Sequence, residues 1–397
     1  MNPIRQTIHF DKTLIDKDAK KVVKTLNKAG HETYLVGGCI RDLLLGHKPK
    51  DFDIATSATP EQVHKTFKRS RLIGRRFRLV HIMFSSRKYI EVATFRSGKV
   101  KTASDGSIVR DNLYGTLKED AFRRDFSVNG LYYDIQKSQV IDYVDGLEAL
   151  NNSEIRMIGK PVERFKEDPV RMIRAIRFKV KLGATIDSKI SKSITSQAHL
   201  LANIPAARLY DECIKLFHNE NACEIFEQLL KFGLLNYLFP QTEKTLFINK
   251  TLLNTSKRIK NGKPVTPAFL FAVFLWGAQN KRFNELNKKK NSRIFTMTQA
   301  SEEVIIKQTK QVLMPRWLSS RVKDIWLMQY QLENCSQKKA KKLILHPRFR
   351  IAYDFLVLRS ESFYHQTKLF LRMIICKKYI LHMVKVFDLN EVDSNQK

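Results

Sequence analysis

Between Tyr34 and Asp53 the chain runs through a short apolar strand, Tyr34-Leu35-Val36, a Gly37-Gly38 turn, and a short helix carrying Arg41-Asp42. It stops at Gly46 and resumes as a strand with alternating acids, Asp51-Phe52-Asp53. In a strand, residues two apart share a face, so the two carboxylates emerge together while Phe52 points into a core. A glycine pair between strand and helix exposes backbone N–H groups at the positive end of the helix, where phosphate oxygens can sit. An anion seat beside paired carboxylates, which are donors for a hard divalent cation such as Mg²⁺, constrains this chain more than any other feature.

The flanking signals build a small mixed α/β head. Ile15, Ala19, Val22, Val23 and Leu26 recur at helical spacing, with Gly30 at the stop. Thr59-Pro60-Glu61-Gln62 opens a further helix with a capping box and proline at the first helical position. Strands are expected at Phe77–Phe84 and Tyr89–Phe95, and a polar Gly/Ser-rich loop at 97–110. From Leu150 onward the apolar periodicity is helical. The fold class expected is α+β: the head at 1–146, an all-α neck at 147–240 that binds nucleotide and RNA, and a helical RNA-binding C-terminal domain at 241–397.

The 397 residues exceed one ordinary core. Lys and Arg outnumber Asp and Glu by 71 to 39, a net charge of +32, and a surplus of that size points to a polyanion, with nucleic acid first. The longest apolar run, Ala268–Ala278, falls far short of the roughly 20 residues that span a bilayer. With no signal-like N-terminus, the expectation is a cytoplasmic protein without membrane contact, and nothing demands more than a monomer. Cys39, Cys213, Cys223, Cys335 and Cys376 are odd in number and lack CxxC spacing, so they read as reduced thiols.

A third acid beside Asp51 and Asp53 could be Glu91, which faces opposite to Ile90 and Val92, or Asp125 in Arg123-Arg124-Asp125-Phe126. His81 reads as a packing or hydrogen-bonded residue, and Trp276, Trp317 and Trp326 as helical core. Arg75, Arg76 and Arg78 are dense enough to line a path for RNA or triphosphate, and the lysines at 288–290, 338, 339, 341 and 342 suit sequence-independent contact with RNA phosphates.

Leu35–Asp53 (LVGGCIRDLLLGHKPKDFD) resembles the signature of the class II nucleotidyltransferases, the group of CCA-adding tRNA nucleotidyltransferases and bacterial poly(A) polymerases. Ile90–Arg96, Glu119–Asn129, Ile141–Gly146 and Glu167–Phe178 are similar to that family's later motifs, in its order. Leu72–His81 (LIGRRFRLVH) is closer to the bacterial poly(A) polymerases, and Ala149 stands where an aspartate is often found. The resemblance implies template-independent transfer of AMP from ATP to RNA 3′ ends, as in mRNA polyadenylation and RNA decay, with CCA addition to tRNA as the alternative. Two Mg²⁺ ions about 4 Å apart would be held by Asp51 and Asp53. Asp125 and Glu91 count with the catalytic set, Gly37, Gly38 and Arg41 would seat the triphosphate, and Arg124 and Asn129 the phosphate and ribose.

Base choice has its own logic. Adenine offers an acceptor at N1 and a donor at N6, which an Arg and an Asp can read together. Asp168 and Arg171, i,i+3 neighbours on an expected helix, can form that pair, and Arg174 can reach a phosphate. A buried hydrogen-bonding site rejects the reversed pattern of guanine and uracil by a factor on the order of 10⁴. Cytosine shares adenine's pattern, so preference for A over C rests on the resemblance alone. On this helix Met172, Ile173, Ile176 and Val180 form the buried stripe, and Arg177 is left to surface or packing.

Overall fold

The computed structural model describes residues 2–8, 10–74, 78–86, 88–97, 101–102, 108–110, 114–287, 292–333 and 342–362. Arg75, Arg76, most of the 97–110 loop, Cys335, Cys376, and all of the named lysines except Lys342 lie outside them. The chain divides into two compact units, Met1–Gln197 and Ala198–Lys397.

The first unit is built on one eight-stranded sheet. Its strands are β1 (Ile4–Thr7), β2 (Thr33–Val36), β3 (Asp53–Thr56), β4 (Ser70–Ile73), β5 (Leu79–Met83), β6 (Tyr89–Thr94), β9 (Leu131–Asp134) and β10 (Gln139–Asp142); β7 (Lys101–Thr102) and β8 (Ile108–Arg110) pair separately. The order is β1-β10-β9-β2-β3-β6-β5-β4, and β3 runs parallel to β6 while the other neighbours are antiparallel. A parallel neighbour cannot be reached by a tight hairpin. Here the connection from β3 to β6 includes α3 (Pro60–Thr66) and the β4–β5 pair.

Helices α1 (Lys17–Lys28) and α2 (Gly38–Leu44) cover one face, where Val22, Leu26, Ile40 and Leu43 pack on Ile54, Val80 and Val92. On the other face α4 (Leu117–Arg123) sets Leu117 and Ala121 on Val36, Ala55 and Tyr132. Local chemistry fixes the ends. Asp16 caps α1, Gly30 follows it with φ +86°, and Thr59 and Gln62 form both bonds of the capping box on α3.

Several elements differ from expectation. The strand carrying the acids begins at Asp53 rather than Asp51, because its pairing with Val36 and Glu91 starts there. Four strands had no sequence signal strong enough to mark them: β1 and β4 are edge strands, β9 is buried on both faces and therefore lacks alternation, and β10 is only four residues long. Beyond α5 (Gly146–Asn151) the unit is helical apart from a two-residue pair, β11 (Glu154–Ile155) and β12 (Thr185–Ile186). Its helices are α6 (Pro161–Glu167), α7 (Val170–Leu182) and α8 (Ser188–Gln197).

The second unit is all helical: α9 (Ala206–Phe217), α10 (Ala222–Lys231), α11 (Leu235–Leu238), α12 (Leu246–Lys260), α13 (Pro267–Leu286), α14 (Arg293–Thr309), α15 (Arg316–Glu333) and α16 (Phe349–Ser362). Phe217, Phe226 and Phe239 surround Phe274, with ring centroids such as Phe217–Phe274 at 4.9 Å and Phe239–Phe274 at 5.0 Å, and Phe271 packs on Phe239 at 5.4 Å. Trp326 is fully buried and donates its indole N–H to the Ala272 carbonyl at 3.1 Å. Trp317, expected in the core, is 45% exposed, with Arg321 over its ring. No helix among the described residues is long and apolar enough to cross a membrane.

Gly146, at the end of the DYVDG motif, shows how tightly the head is closed. A Cβ there would stand 2.4 Å from the Ser127 carbonyl oxygen and 2.8 Å from Leu131 Cδ2. Gly146→Ala is expected to destabilise the first unit by about 1–3 kcal/mol, the usual range for overpacking, read as a lower urea midpoint with an unchanged m-value.

Candidate active site

Strand β2 ends at Val36, opposite Asp53, and Gly37 turns the chain at φ +77°, ψ −129°, backbone that a side chain would strain. The Gly37 N–H donates to the Leu131 carbonyl, which ties the turn to β9. Two guanidinium groups lie against it. A Cβ on Gly37 would meet Arg124 Nη1 at 3.4 Å, and one on Gly38 would meet Arg41 Nη2 at 3.5 Å.

Asp53 sits across from this turn and, on its other side, directly beside Glu91 in the parallel register. Asp51 is exposed in the segment just before β3. The Asp53 carboxylate reaches solvent, yet protein encloses it on most sides. That burial, with repulsion from Glu91 and Asp51, pushes its pKa up to about 6 against the opposing charge of Arg124. Glu91 lies 3.4 Å from His81 Nε2, and His81 stacks on Tyr89 with centroids 4.0 Å apart. Buried Cys39 donates its thiol to the Val36 carbonyl at 3.3 Å, and burial pushes its pKa up to about 12, so it remains a thiol. Cys39, Cys213 and Cys223 are free thiols.

Among the described residues no three His, Cys, Asp or Glu side chains stand close enough to form a metal cluster. The acids present still suit a divalent cation: their oxygens are hard donors, and the repulsion that raises Asp53 is what a cation would neutralise.

Asp125 has a different environment. Its side chain is 10% exposed; Arg174 Nε donates to it at 2.6 Å, the Phe126 N–H at 2.9 Å and Asn129 Nδ2 at 3.3 Å. Burial pulls its pKa upward, but Arg174 and these donors outweigh that and hold it below the ordinary carboxylate range. Asn129 is also buried, and its Oδ1 accepts from Arg41 Nη1 at 2.6 Å. Arg41, 3% exposed, turns its other edge to Asp42 at 2.6 and 2.9 Å, and Asp42 accepts from Lys181 at 2.9 Å. The result is a continuous polar chain, Lys181–Asp42–Arg41–Asn129–Asp125–Arg174, which ties α2 and the 127–129 turn to α7. Phe178 lies beneath it, with the guanidinium groups of Arg41, Arg174 and Arg177 at 5.1–5.4 Å from its ring. The stripe of Met172, Ile173, Ile176 and Val180 is buried as the periodicity predicts.

Arg124 bonds Tyr132 Oη at 3.0 Å and Asp120 at 3.1 Å, and Tyr132 donates to the same Asp120 at 2.6 Å. The spacing of four between Asp120 and Arg124 could have marked this pair, which sequence reasoning missed. Arg164 clasps the Arg123 and Arg124 carbonyls at 2.7 and 2.8 Å; no local pattern marks that contact.

Asp168 and Arg171 do not share a helix. Asp168 precedes Pro169, which excludes helical backbone there, and it adopts φ −147°, ψ 93° as the residue closing α6. Arg171 opens α7 and bonds Glu167 at 2.9 Å. Arg78, exposed, pairs with Glu61 at 2.7 Å.

A glycine turn facing aspartates at the end of a mixed sheet, followed by a helical neck, defines a nucleotidyltransferase head. Residues 33–156 match the family described as Poly A polymerase head domain, 183–246 the Probable RNA and SrmB- binding site of polymerase A, and 289–370 the Polymerase A arginine-rich C-terminus. The chain is 41% identical to Poly(A) polymerase I of Salmonella typhi over 87% of its own length and 79% of that protein's. A CCA-adding enzyme of Lactiplantibacillus plantarum is 38% identical over 55% of this chain and 53% of its own. The crystal structure of the Bacillus stearothermophilus CCA-adding enzyme in complex with CTP shares the fold, with TM-score 0.63, 24% identity, and coverage of 91% of this chain and 81% of that one. The chain therefore belongs to the bacterial poly(A) polymerase family of the class II nucleotidyltransferases.

Two measurements check the electrostatics. Because Asp53 must lose its proton to bind a cation, Mg²⁺ affinity by calorimetry is expected to hold above pH 6 and to fall below it, approaching tenfold per pH unit. Glu91→Gln removes a repelling charge and should move that inflection to lower pH; a flat profile from pH 5 to 7.5 would contradict the assignment. Arg174→Met strands the buried Asp125 carboxylate and should cost about 3–5 kcal/mol by chemical denaturation.

Proposed function

We propose that this protein is a template-independent polynucleotide adenylyltransferase, which joins AMP from ATP to the 3′ end of RNA. The RNA 3′-oxygen forms a bond to the α-phosphorus, the bond from that phosphorus to the bridging oxygen breaks, and pyrophosphate leaves. The observation that carries this reading is the row Val36, Asp53, Glu91 across β2, β3 and β6, with the glycine turn following Val36 on one side of the aspartate and a second acid on the other.

In this reading Asp51 and Asp53 hold two Mg²⁺ ions with Glu91 as the third carboxylate, and the metal supplies charge neutralisation and Lewis acidity at the reacting phosphate. Asp125 already accepts from Arg174, Asn129 and Phe126, so in this reading it acts as a positioning residue. The Gly37-Gly38 turn and Arg124 receive the triphosphate. Arg41 and Asn129, enclosed in the polar chain, hold the turn in shape rather than reach outward. Asp168 and Arg171, at the junction of α6 and α7, read the adenine edge, and the net charge of +32 holds RNA. The long match to a Poly(A) polymerase I, against about half the chain for a CCA-adding enzyme, favours adenylate tails.

The purified chain, given Mg²⁺ and a labelled generic RNA, is expected to build long tails from ATP and to incorporate little CTP. CC followed by one A on tRNA would overturn the reading in favour of CCA addition. The double variant Asp51→Asn, Asp53→Asn should lose at least about 10³-fold in extension rate, in line with removal of dominant electrostatic groups, while retaining RNA affinity in a gel shift.

A further inference from the structure

The second unit contains a cavity of about 460 Å³ whose lining draws on α12, α13, α15 and α16. That is the size of a small-ligand site. Its apolar wall includes Phe269, Ile325 and Ile351, and Arg258, Arg321, Arg348 and Arg350 also line it. Two carboxylates answer these four guanidinium groups. Asp354 takes Arg350 at 3.2 Å and Arg258 at 3.9 Å, and Asp324 takes Arg348 at 2.8 Å. Arg321 lies over the Trp317 ring at 5.2 Å and meets no carboxylate among the described residues. Counted against Asp354 and Asp324, the four guanidinium groups leave a surplus of two positive charges among the described residues around an apolar hole. Thr266 Oγ1, in the same wall, is buried without a hydrogen-bond partner among the described residues.

Few ligands match an apolar slot, planar cations at its edge and a surplus of two charges. A base within an RNA strand does: its ring is flat and apolar on both faces and stacks on aromatic and guanidinium planes, and each base is flanked by two singly charged phosphodiesters. The Arg258 guanidinium is held to the Pro264 carbonyl at 3.1 and 3.3 Å, so this part of the rim is already ordered. We propose that this cavity is a subsite for one nucleotide of the RNA being extended, with the base against Phe269 and Ile351 and the flanking phosphates on Arg321 and Arg350. The assignment rests on the reading of the chain as an RNA-tailing enzyme and adds a second grip on the strand, outside the residues given to chemistry.

The test uses the full chain and a labelled twenty-residue oligo(A). Arg321→Ala, Arg350→Ala should weaken binding at least about tenfold at 0.1 M salt and reduce the slope of log K against log salt by about 1.4, since each single-strand phosphate contact contributes about 0.7. Ile351→Trp fills the hole without changing charge; it should weaken binding severalfold and leave the slope unchanged, which a merely basic surface would not do. Thermal melts of both variants check that they remain folded. Normal oligo(A) affinity in the filled variant overturns the proposal. Free AMP offers the same chemistry from another source: if it binds the wild-type chain as tightly as oligo(A) and loses that affinity in Ile351→Trp, the cavity is a mononucleotide site and the strand assignment falls. Failure of the wild-type chain to extend RNA would sink the functional reading instead, and the binding data would still decide the cavity.

Discussion

The head depends on one buried interaction, the hydrogen bond from Arg41 to the side-chain oxygen of Asn129. A guanidinium that is 3% exposed is costly unless its donors are met, and Asn129 and Asp42 meet them. Because Asn129 accepts from Arg41 with its oxygen, its amide must donate to Asp125, which is in turn neutralised by Arg174. Each carboxylate in this chain of contacts is matched by cations, Asp42 by Lys181 and Arg41 and Asp125 by Arg174. The outcome is mechanical: the helix that follows the glycine turn, the turn before β9 and α7, held at Arg174 and Lys181, are fixed as one piece.

The acids obey the opposite rule. Asp53 is repelled by Glu91 and Asp51, and that repulsion adds to burial in raising its pKa. A fold seeking only stability would separate them. The sheet holds two of them as neighbours because β3 and β6 are parallel and in register, and the backbone ladder together with the packing of Ile54 and Val92 beneath outweighs the repulsion. Strain of this kind belongs where a cation or a phosphate is to be received. A basic chain with acids gathered at one place has attraction for RNA over its surface and a separate, local demand for metal.

The helical unit follows ordinary core physics. Its phenylalanine cluster and buried Trp326 supply the apolar area, and the indole N–H is satisfied by a helix carbonyl. Arginine dominates its polar detail: Arg359 sits over Trp276 and meets Glu333, Arg321 covers exposed Trp317, and Arg293 lies over Tyr330. A planar, weakly hydrated cation tolerates such apolar company better than lysine does.

What the sequence determined by itself is local. Gly37, the cap of α3 and the buried stripe of α7 were legible because each depends on residues within a turn or two of one another. The break at Asp168 was legible too, since a proline follows it, although helical periodicity obscured it. Whether Glu91 or Asp125 stands beside the aspartates was undecidable from the chain, because both are acids in suitable motifs. Tertiary structure gives the two different surroundings: strand register puts Glu91 next to Asp53, whereas Arg174, 49 residues beyond Asp125, engages that carboxylate. Likewise the bond from Arg41 to Asn129, 88 residues away, has no signal in the sequence. Pairing and burial are set by which distant surfaces exclude water together, and no short-range pattern records that.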